Sequence, residues 1–345
     1  MSSLLTTVGL NKASLLKPAS ILAATKLPLN TNLKLNNNAL LNQHCLFSNK
    51  PSLLQEAQCQ SGGECNINQK KGKRLVKKNK APFDPSKTDY INCEGYVHSV
   101  ESMGSLEGPG NRFLLFVTGC PARCIYCENP DTWQNVNGNK MKVGELTKKA
   151  RNLKPYYENS VGGGGVTCSG GDPLSQPEFV SSFFYSMKHD VGLHTCLETS
   201  GQGTQYAWDT ILPQTDLVLL CIKHPKADKY KEITRTCELS RMMEFLHEVE
   251  RRNIPWWCRY VVISGLTDND EDLEELVKIC NESKTLERID LLAYHTLGEH
   301  KWKELGLKYI MGENLIPKKE RLTAIAEYLK KNLKNKNVEV NSGVE

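Results

Sequence analysis

Six short runs of nearly unbroken aliphatic residues punctuate the C-terminal part of the chain: RFLLFVT (112–118), GGVTC (164–168), LHTCLET (193–199), DLVLLCI (216–222), WCRYVVIS (257–264) and RIDLLAY (288–294). A strand that is apolar along its length has no face for solvent, which is the pattern of a parallel sheet covered on both sides. Polar stretches lie between the runs, near 143–157, 176–190, 204–212, 227–253, 269–284 and 318–334, and SRMMEFLHEVERRN (240–253) repeats its apolar positions at helical spacing. Alternation of β and α at this length predicts a β/α barrel or an open α/β sheet. The ends of the strands favour the barrel. TGC, CSGGD, ETSG, IKH, ISG and YH all close strands at their C-terminal ends, where barrel enzymes assemble their sites. Six strands make an incomplete α/β barrel, a partial (β/α)6 arrangement with an open side for a large substrate.

Charge is unevenly placed. Residues 1–90 carry 13 Lys/Arg against 4 Asp/Glu, a balance of +9, so with a total of +5 the remaining residues sum to −4. That body shows no basic stripe with interleaved aromatics, and no nucleic-acid partner is expected. No apolar run approaches the roughly 18 residues of a membrane span, so a soluble protein without a membrane role is expected. Residues 1–55 hold five lysines, no acid and no arginine, among many Leu, Ser, Thr and Asn. They form a basic amphipathic segment of the kind that import machinery recognises, and are assigned as an organelle transit peptide. Residues 56–89 are assigned as a disordered basic linker, 90–335 as the folded domain and 336–345 as a disordered tail. Thirteen cysteines, an odd number scattered along a long chain, argue for a reducing interior, with Cys45, Cys59 and Cys65 as free thiols.

The stretch GCPARCIYCEN (119–129) places Cys120, Cys124 and Cys127 on the loop leaving the first strand. Three chemistries suit such spacing. A disulfide leaves one thiol unpaired. A zinc site needs a fourth ligand, which only a distant His224, His295 or His300 offers. An iron–sulfur cluster held by three thiolates leaves one iron open to a small molecule. Of these the loop alone favours the cluster, but it does not settle what the cluster is for.

The wider pattern does. C-x3-C-x2-C with an aromatic residue before the last cysteine resembles the radical S-adenosylmethionine (SAM) superfamily. GYVHSVESMGSLEGPGNRFLLFVTGC (95–120), CENPDTW (127–133), GGGGVTCSGGD (162–172), HTCLETSG (194–201), RYVVISGLTDNDED (259–272) and LLAYHTLGEHKWKELG (291–306) together resemble the pyruvate formate-lyase-activating enzyme family, in order and spacing, over roughly 93–332. The resemblance implies a radical SAM domain whose reduced 4Fe–4S cluster cleaves SAM, so that a hydrogen atom is taken from one glycine of a partner, pyruvate formate-lyase. It implies Cys120, Cys124 and Cys127 as cluster ligands, with Tyr126, Cys127 and Glu128 lining SAM beside them. By the same resemblance Gly170, Gly171 and Asp172 hold the methionine ammonium. Cys221, Ile222 and Lys223 after the fourth strand and Arg259 on the fifth face SAM, with Lys223 and Arg259 placed for its carboxylate. His295 is placed near the adenosine, and Glu107 in LEGPG contacts the partner's glycine loop.

Three positions depart from the family pattern. Asp172 stands for a Glu, while Glu198 and Cys221 stand for two Asp residues where the family binds a monovalent cation beside SAM. A thiol is a poor ligand for a hard cation, which puts that cation in question. No cysteine occurs between Glu128 and Thr167, so there is no second cluster domain and the single-cluster type is implied. Alternatives are an activase of another glycyl-radical enzyme, such as anaerobic ribonucleotide reductase, and a non-catalytic metal-binding protein. The resemblance further implies a flavodoxin- or ferredoxin-type electron donor and a monomer. Combined with the leader, oxygen-sensitive radical chemistry points to a hydrogenosome or an anaerobic mitochondrion ahead of a plastid or the cytoplasm.

Overall fold

A computed structural model of the chain describes residues 80–344; the expected transit peptide and most of the expected linker lie outside them. The elements run β1 (Glu94–Gly104), β2 (Arg112–Val117), β3 (Asn139–Lys142), α1 (Val143–Glu158), β4 (Gly165–Gly170), α2 (Pro177–Ser186), β5 (His194–Thr199), α3 (Gln205–Ile211), β6 (Leu217–Cys221), α4 (Ala227–Thr234), α5 (Leu239–Arg251), β7 (Trp256–Val262), α6 (Asp270–Glu282), β8 (Leu286–Ala293), α7 (Glu299–Glu304), α8 (Lys319–Asn332) and β9 (Glu339–Asn341). They build one nine-stranded sheet in the order β3-β1-β2-β4-β5-β6-β7-β8-β9. From β2 to β9 every neighbouring pair is parallel, whereas β1 runs antiparallel to β2 and β3 antiparallel to β1. The six expected strands are β2, β4, β5, β6, β7 and β8, joined through helices as the alternation requires.

Side chains alternate between the two faces of each strand. On one face Leu115, Cys168, Leu197, Leu220, Cys258 and Leu291 are fully buried and join the large core beneath the helices. The other face carries a small apolar cluster of Cys196, Leu217 and Leu219, packed against Trp257. The polar residues at the strand ends lie directly beyond that cluster: Glu198 follows Cys196 by two, Cys221 follows Leu219, and Arg259 follows Trp257. Cys221 pairs directly with Arg259, whereas Glu198 pairs with Leu219, so the polar ends step by one pleat between β5 and β6. An apolar floor therefore underlies a polar end on the same face.

Three departures from expectation have simple causes. Residues 336–345, expected to be disordered, supply β9 because Val338 and Val340 are buried at 8% and 5% exposure within an otherwise polar stretch. Residues 80–89 of the expected linker are ordered: Phe83 N–H donates to Thr210 Oγ1 at 3.2 Å, and Asp84 caps a 3-10 turn at Pro85–Lys87. The single helical stretch 227–253 divides into α4 and α5, with Arg235 between them at φ 62°. A chain ending at residue 335 loses both buried valines and exposes the β8 edge. Its unfolding free energy in urea is expected to fall by about 3 kcal/mol; an unchanged midpoint would show that β9 adds nothing.

Candidate active site

A cavity of about 290 Å³ opens at the C-terminal ends of the parallel strands. Cys120, Cys124 and Cys127 border it, with Tyr126 and Glu128 between and beside them. The cysteine loop is held from outside the cavity. Arg123 and Ile125 donate their backbone N–H groups to the carbonyls of Thr234 (2.9 Å) and Ile233 (3.0 Å) at the end of α4. The Arg123 guanidinium donates to the Cys120 and Ala122 carbonyls. From α7 the Trp302 indole N–H donates to the Cys127 carbonyl at 2.8 Å, and Gly298 lies so close to the Glu128 backbone that a Cβ there would stand 2.6 Å from its Cα.

Burial pushes all three thiols above the ordinary range, Cys127 to about 12, with Asp172 next in effect at Cys120 and Cys124 next at Cys127. As thiolates they need a positively charged group among them, which an iron cluster supplies. Among the described residues no three His, Cys, Asp or Glu side chains close around a single ion. Three thiols on one short loop bordering a single cavity fit a group such as the 4Fe–4S cluster.

The next wall is the SGGD segment. Its glycines are needed for backbone packing as much as for any ligand. A Cβ on Gly170 (φ 112°) would stand 2.4 Å from the Val117 backbone, and one on Gly171 would stand 2.4 Å from the Gly119 carbonyl oxygen. Their close approach places the segment against the root of the cysteine loop, where Gly171 and Asp172 N–H groups donate to the Val117 and Gly119 carbonyls. Asp172 differs from its expected role. Its carboxylate accepts from Thr199 Oγ1 (2.7 Å), Ser200 Oγ (2.6 Å), Ser200 N–H (3.1 Å) and Leu174 N–H (3.1 Å). All four lone-pair positions are thus engaged, and Asp172 braces the neighbouring strand end.

Glu198, Cys221 and Arg259 meet at these strand ends, with Cys221 opposite Arg259 and Glu198 one pleat back. Glu198 Oε2 accepts from Ser169 Oγ at 2.7 Å, and Oε1 lies 3.2 Å from Arg259 Nε and 3.7 Å from Cys221 Sγ. Burial raises the Cys221 thiol to about 11, so it is neutral at physiological pH. With one carboxylate already paired and one uncharged thiol, this group does not fit a bound monovalent cation.

Lys223 faces Tyr126, its ammonium 5.8 Å from the ring centroid, and forms no ion pair or hydrogen bond among the described residues. Burial works against its charge, but Tyr126, Cys221 and Cys124 around it outweigh this and raise its pKa. The buried Tyr126 hydroxyl likewise has no hydrogen-bond partner, and burial raises its pKa. An unpaired ammonium and an unpaired phenol aimed into one cavity call for an anionic, polar ligand.

Glu107 enters the cavity from the turn before β2, and His295 also borders it, its Nε2 3.8 Å from Glu128 Oε2. Ile222 does not reach the cavity; it is 1% exposed and packs in the core, because its side chain takes the face opposite Cys221 and Lys223. His224 is also buried away from the site, with Nε2 3.2 Å from Asp272 Oδ2, and the His300 Nδ1–H donates to the Leu297 carbonyl on the surface. Ser169, Thr199, Ser200 and Trp302 are the contributors that motif reasoning missed. Ser169 sat within the SGGD motif and Trp302 within GEHKW; their partners in space were the hidden part.

The fold and the cysteine-lined cavity define a radical SAM protein, and the Radical SAM superfamily model matches residues 114–279. A pyruvate formate-lyase-activating enzyme from Clostridium pasteurianum is 42% identical over 236 residues, which cover 68% of this chain and 97% of that one. One from Staphylococcus epidermidis is 40% identical over 231 residues, covering 65% and 90%. Among solved structures, Streptococcus suis SuiB bound to the precursor peptide SuiA matches with a TM-score of 0.51 at 16% identity, covering 66% of this chain and 48% of that one, a likeness of fold alone. The chain belongs to the pyruvate formate-lyase-activating enzyme family, a group of radical SAM oxidoreductases. That family implies a 4Fe–4S cluster and SAM.

Burial raises the Glu107 carboxyl above its ordinary 4.5, and the Glu198 charge adds to the effect. The fold therefore favours neutral Glu107: this contribution is complete below about 4.5 and is lost as pH rises through the raised value. Glu107→Gln removes the titration. The variant is expected to melt above the wild type at neutral pH, with the gap closing on acidification; a pH-independent difference would contradict the assignment.

Proposed function

We propose that this chain activates pyruvate formate-lyase by installing a radical on one of its glycines. The observation that carries this reading is the convergence, in one cavity, of three buried thiols with an unpartnered ammonium from the next wall. The cluster and SAM, when bound, supply the one-electron chemistry that removes the glycine hydrogen. The chain's residues bind and orient. Cys120, Cys124 and Cys127 would hold the cluster, and Lys223 would take the SAM carboxylate, assisted by Arg259 on the neighbouring strand. The Gly170–Gly171 backbone offers room for the ammonium, with Asp172 acting through Thr199 and Ser200. Tyr126 and Glu128 would line SAM, and His295 at the rim would face its adenosine. Glu107 would meet the partner's loop.

Anaerobic reconstitution, reduction and addition of SAM and pyruvate formate-lyase should give methionine, 5′-deoxyadenosine and a glycyl-radical EPR signal. A colourless protein inert toward SAM would overturn the reading, and SAM cleavage without that EPR signal would move it to a different partner. Lys223→Met should keep the iron–sulfur absorbance while weakening SAM binding roughly ten- to hundred-fold, the loss of one charged hydrogen bond. A flavodoxin- or ferredoxin-type donor and a monomeric state complete the reading, checked by anaerobic reduction assays and sedimentation. The basic, acid-free leader supports delivery to a hydrogenosome or anaerobic mitochondrion; a reporter carrying residues 1–55 that stays cytosolic would refute this.

A further inference from the structure

The turn that bears Glu107 is held in an unusual way. Between residues 105 and 110 it makes no backbone-to-backbone hydrogen bond among the described residues. Three of its carbonyls are instead held by side chains. Leu106 accepts from Arg259 Nη1 at 2.7 Å, Glu107 from Thr167 Oγ1 at 2.6 Å, and Pro109 from Arg112 Nη1 at 2.9 Å. Arg112 is fully buried and forms no ion pair among the described residues. Its Nε donates to Thr167 Oγ1 at 2.5 Å and its Nη2 to the Val166 carbonyl at 2.6 Å, with the His194 ring and carbonyl beyond. The turn lies directly on this guanidinium: a Cβ on Gly108, at φ 119°, would sit 3.1 Å from Arg112 Cδ.

A buried charge without a countercharge is costly, and an apolar residue of similar size would usually stabilise the same position better. The charge is explained by what it holds. Arg112 orients Thr167, which accepts its N–H and can then only donate onward to the Glu107 carbonyl. Burial and the Arg112 charge push His194 down to about 4, so its ring stays neutral and can accept from the same fork.

We propose that Arg112 and Thr167 are positioning residues that fix the Leu106–Gly110 turn so that Glu107 presents the partner's glycine loop to the cavity. This deepens the proposed function and rests on it. Neither residue lines the cavity, so SAM cleavage by the reduced holoenzyme in the absence of partner should not depend on them.

The test uses full-length reconstituted enzyme with purified pyruvate formate-lyase, comparing wild type with Thr167→Val, Thr167→Ser and Arg112→Lys. Cluster absorbance, partner-free SAM cleavage, glycyl-radical spin count and the KM for the partner are measured. Thr167→Val should keep the first two, while the radical yield per SAM cleaved falls and KM rises, together by about ten-fold, the scale of a small misplacement of reacting groups. Thr167→Ser, which keeps the hydroxyl, should restore both, and Arg112→Lys should fall between. A Thr167→Val enzyme with wild-type radical yield overturns the inference, as does one losing SAM cleavage in parallel, since that marks a merely structural role. A wild type that cleaves SAM but leaves no radical on the partner overturns the proposed function itself.

Discussion

A parallel strand buried on both faces has one place where a polar side chain can sit cheaply, and that is its end. This constraint organises the molecule. On the inner face of the sheet, Cys196, Leu217, Leu219 and Trp257 form a dry layer, and one pleat further on the same strands carry Glu198, Cys221 and Arg259. The apolar floor lowers the local dielectric beneath the cavity, so each charge above it is felt more strongly than it would be in water. Cavity chemistry thus follows from a period of two residues. Placing Arg259 one residue earlier would bury it among the helices.

The strand ends also explain how the cysteine loop is positioned. It receives bonds on three sides: from the Thr234 and Ile233 carbonyls, from Trp302, and at its root from the N–H groups of Gly171 and Asp172. Glycine is required at 170 and 171 because the neighbouring backbone leaves no room for a side chain. The segment expected to hold a ligand is here the segment that docks two strand ends together. Its acid, Asp172, ties in the third through Thr199 and Ser200. Shortening a carboxylate by one methylene thus suits bracing better than reaching into the cavity.

Much of this was legible from residues alone, for identifiable reasons. The six central strands declare themselves because burial on both faces leaves no polar interruption. Cavity residues at their ends were found because polarity changes abruptly there. Strand β1 was missed because EGYVHSVESMG is half exposed and contains two glycines and two serines. Strand β9 hid two alternating valines within NVEVN. Trp302 carried no signal for its role, since its indole reaches a carbonyl 175 residues away. Ile222 shows the opposite failure: adjacency in sequence to Cys221 and Lys223 suggested a shared site, and the pleat turned it to the other face.

The charge balance around Glu198 follows from the same geometry. A cation beside this carboxylate would need anionic oxygens with free lone pairs. Ser169 occupies one oxygen, while Arg259 and Cys221 crowd the other. The longer Glu side chain brings its charge to the guanidinium, and the thiol at 221 withdraws a second negative charge that an Asp would provide. Arg259 is anchored on its far side by the Leu106 carbonyl, so it cannot yield its place without loosening the turn that carries Glu107. The positive charge next to Glu198 is therefore built into the chain, and it is shared between the ligand cavity and the turn at its edge.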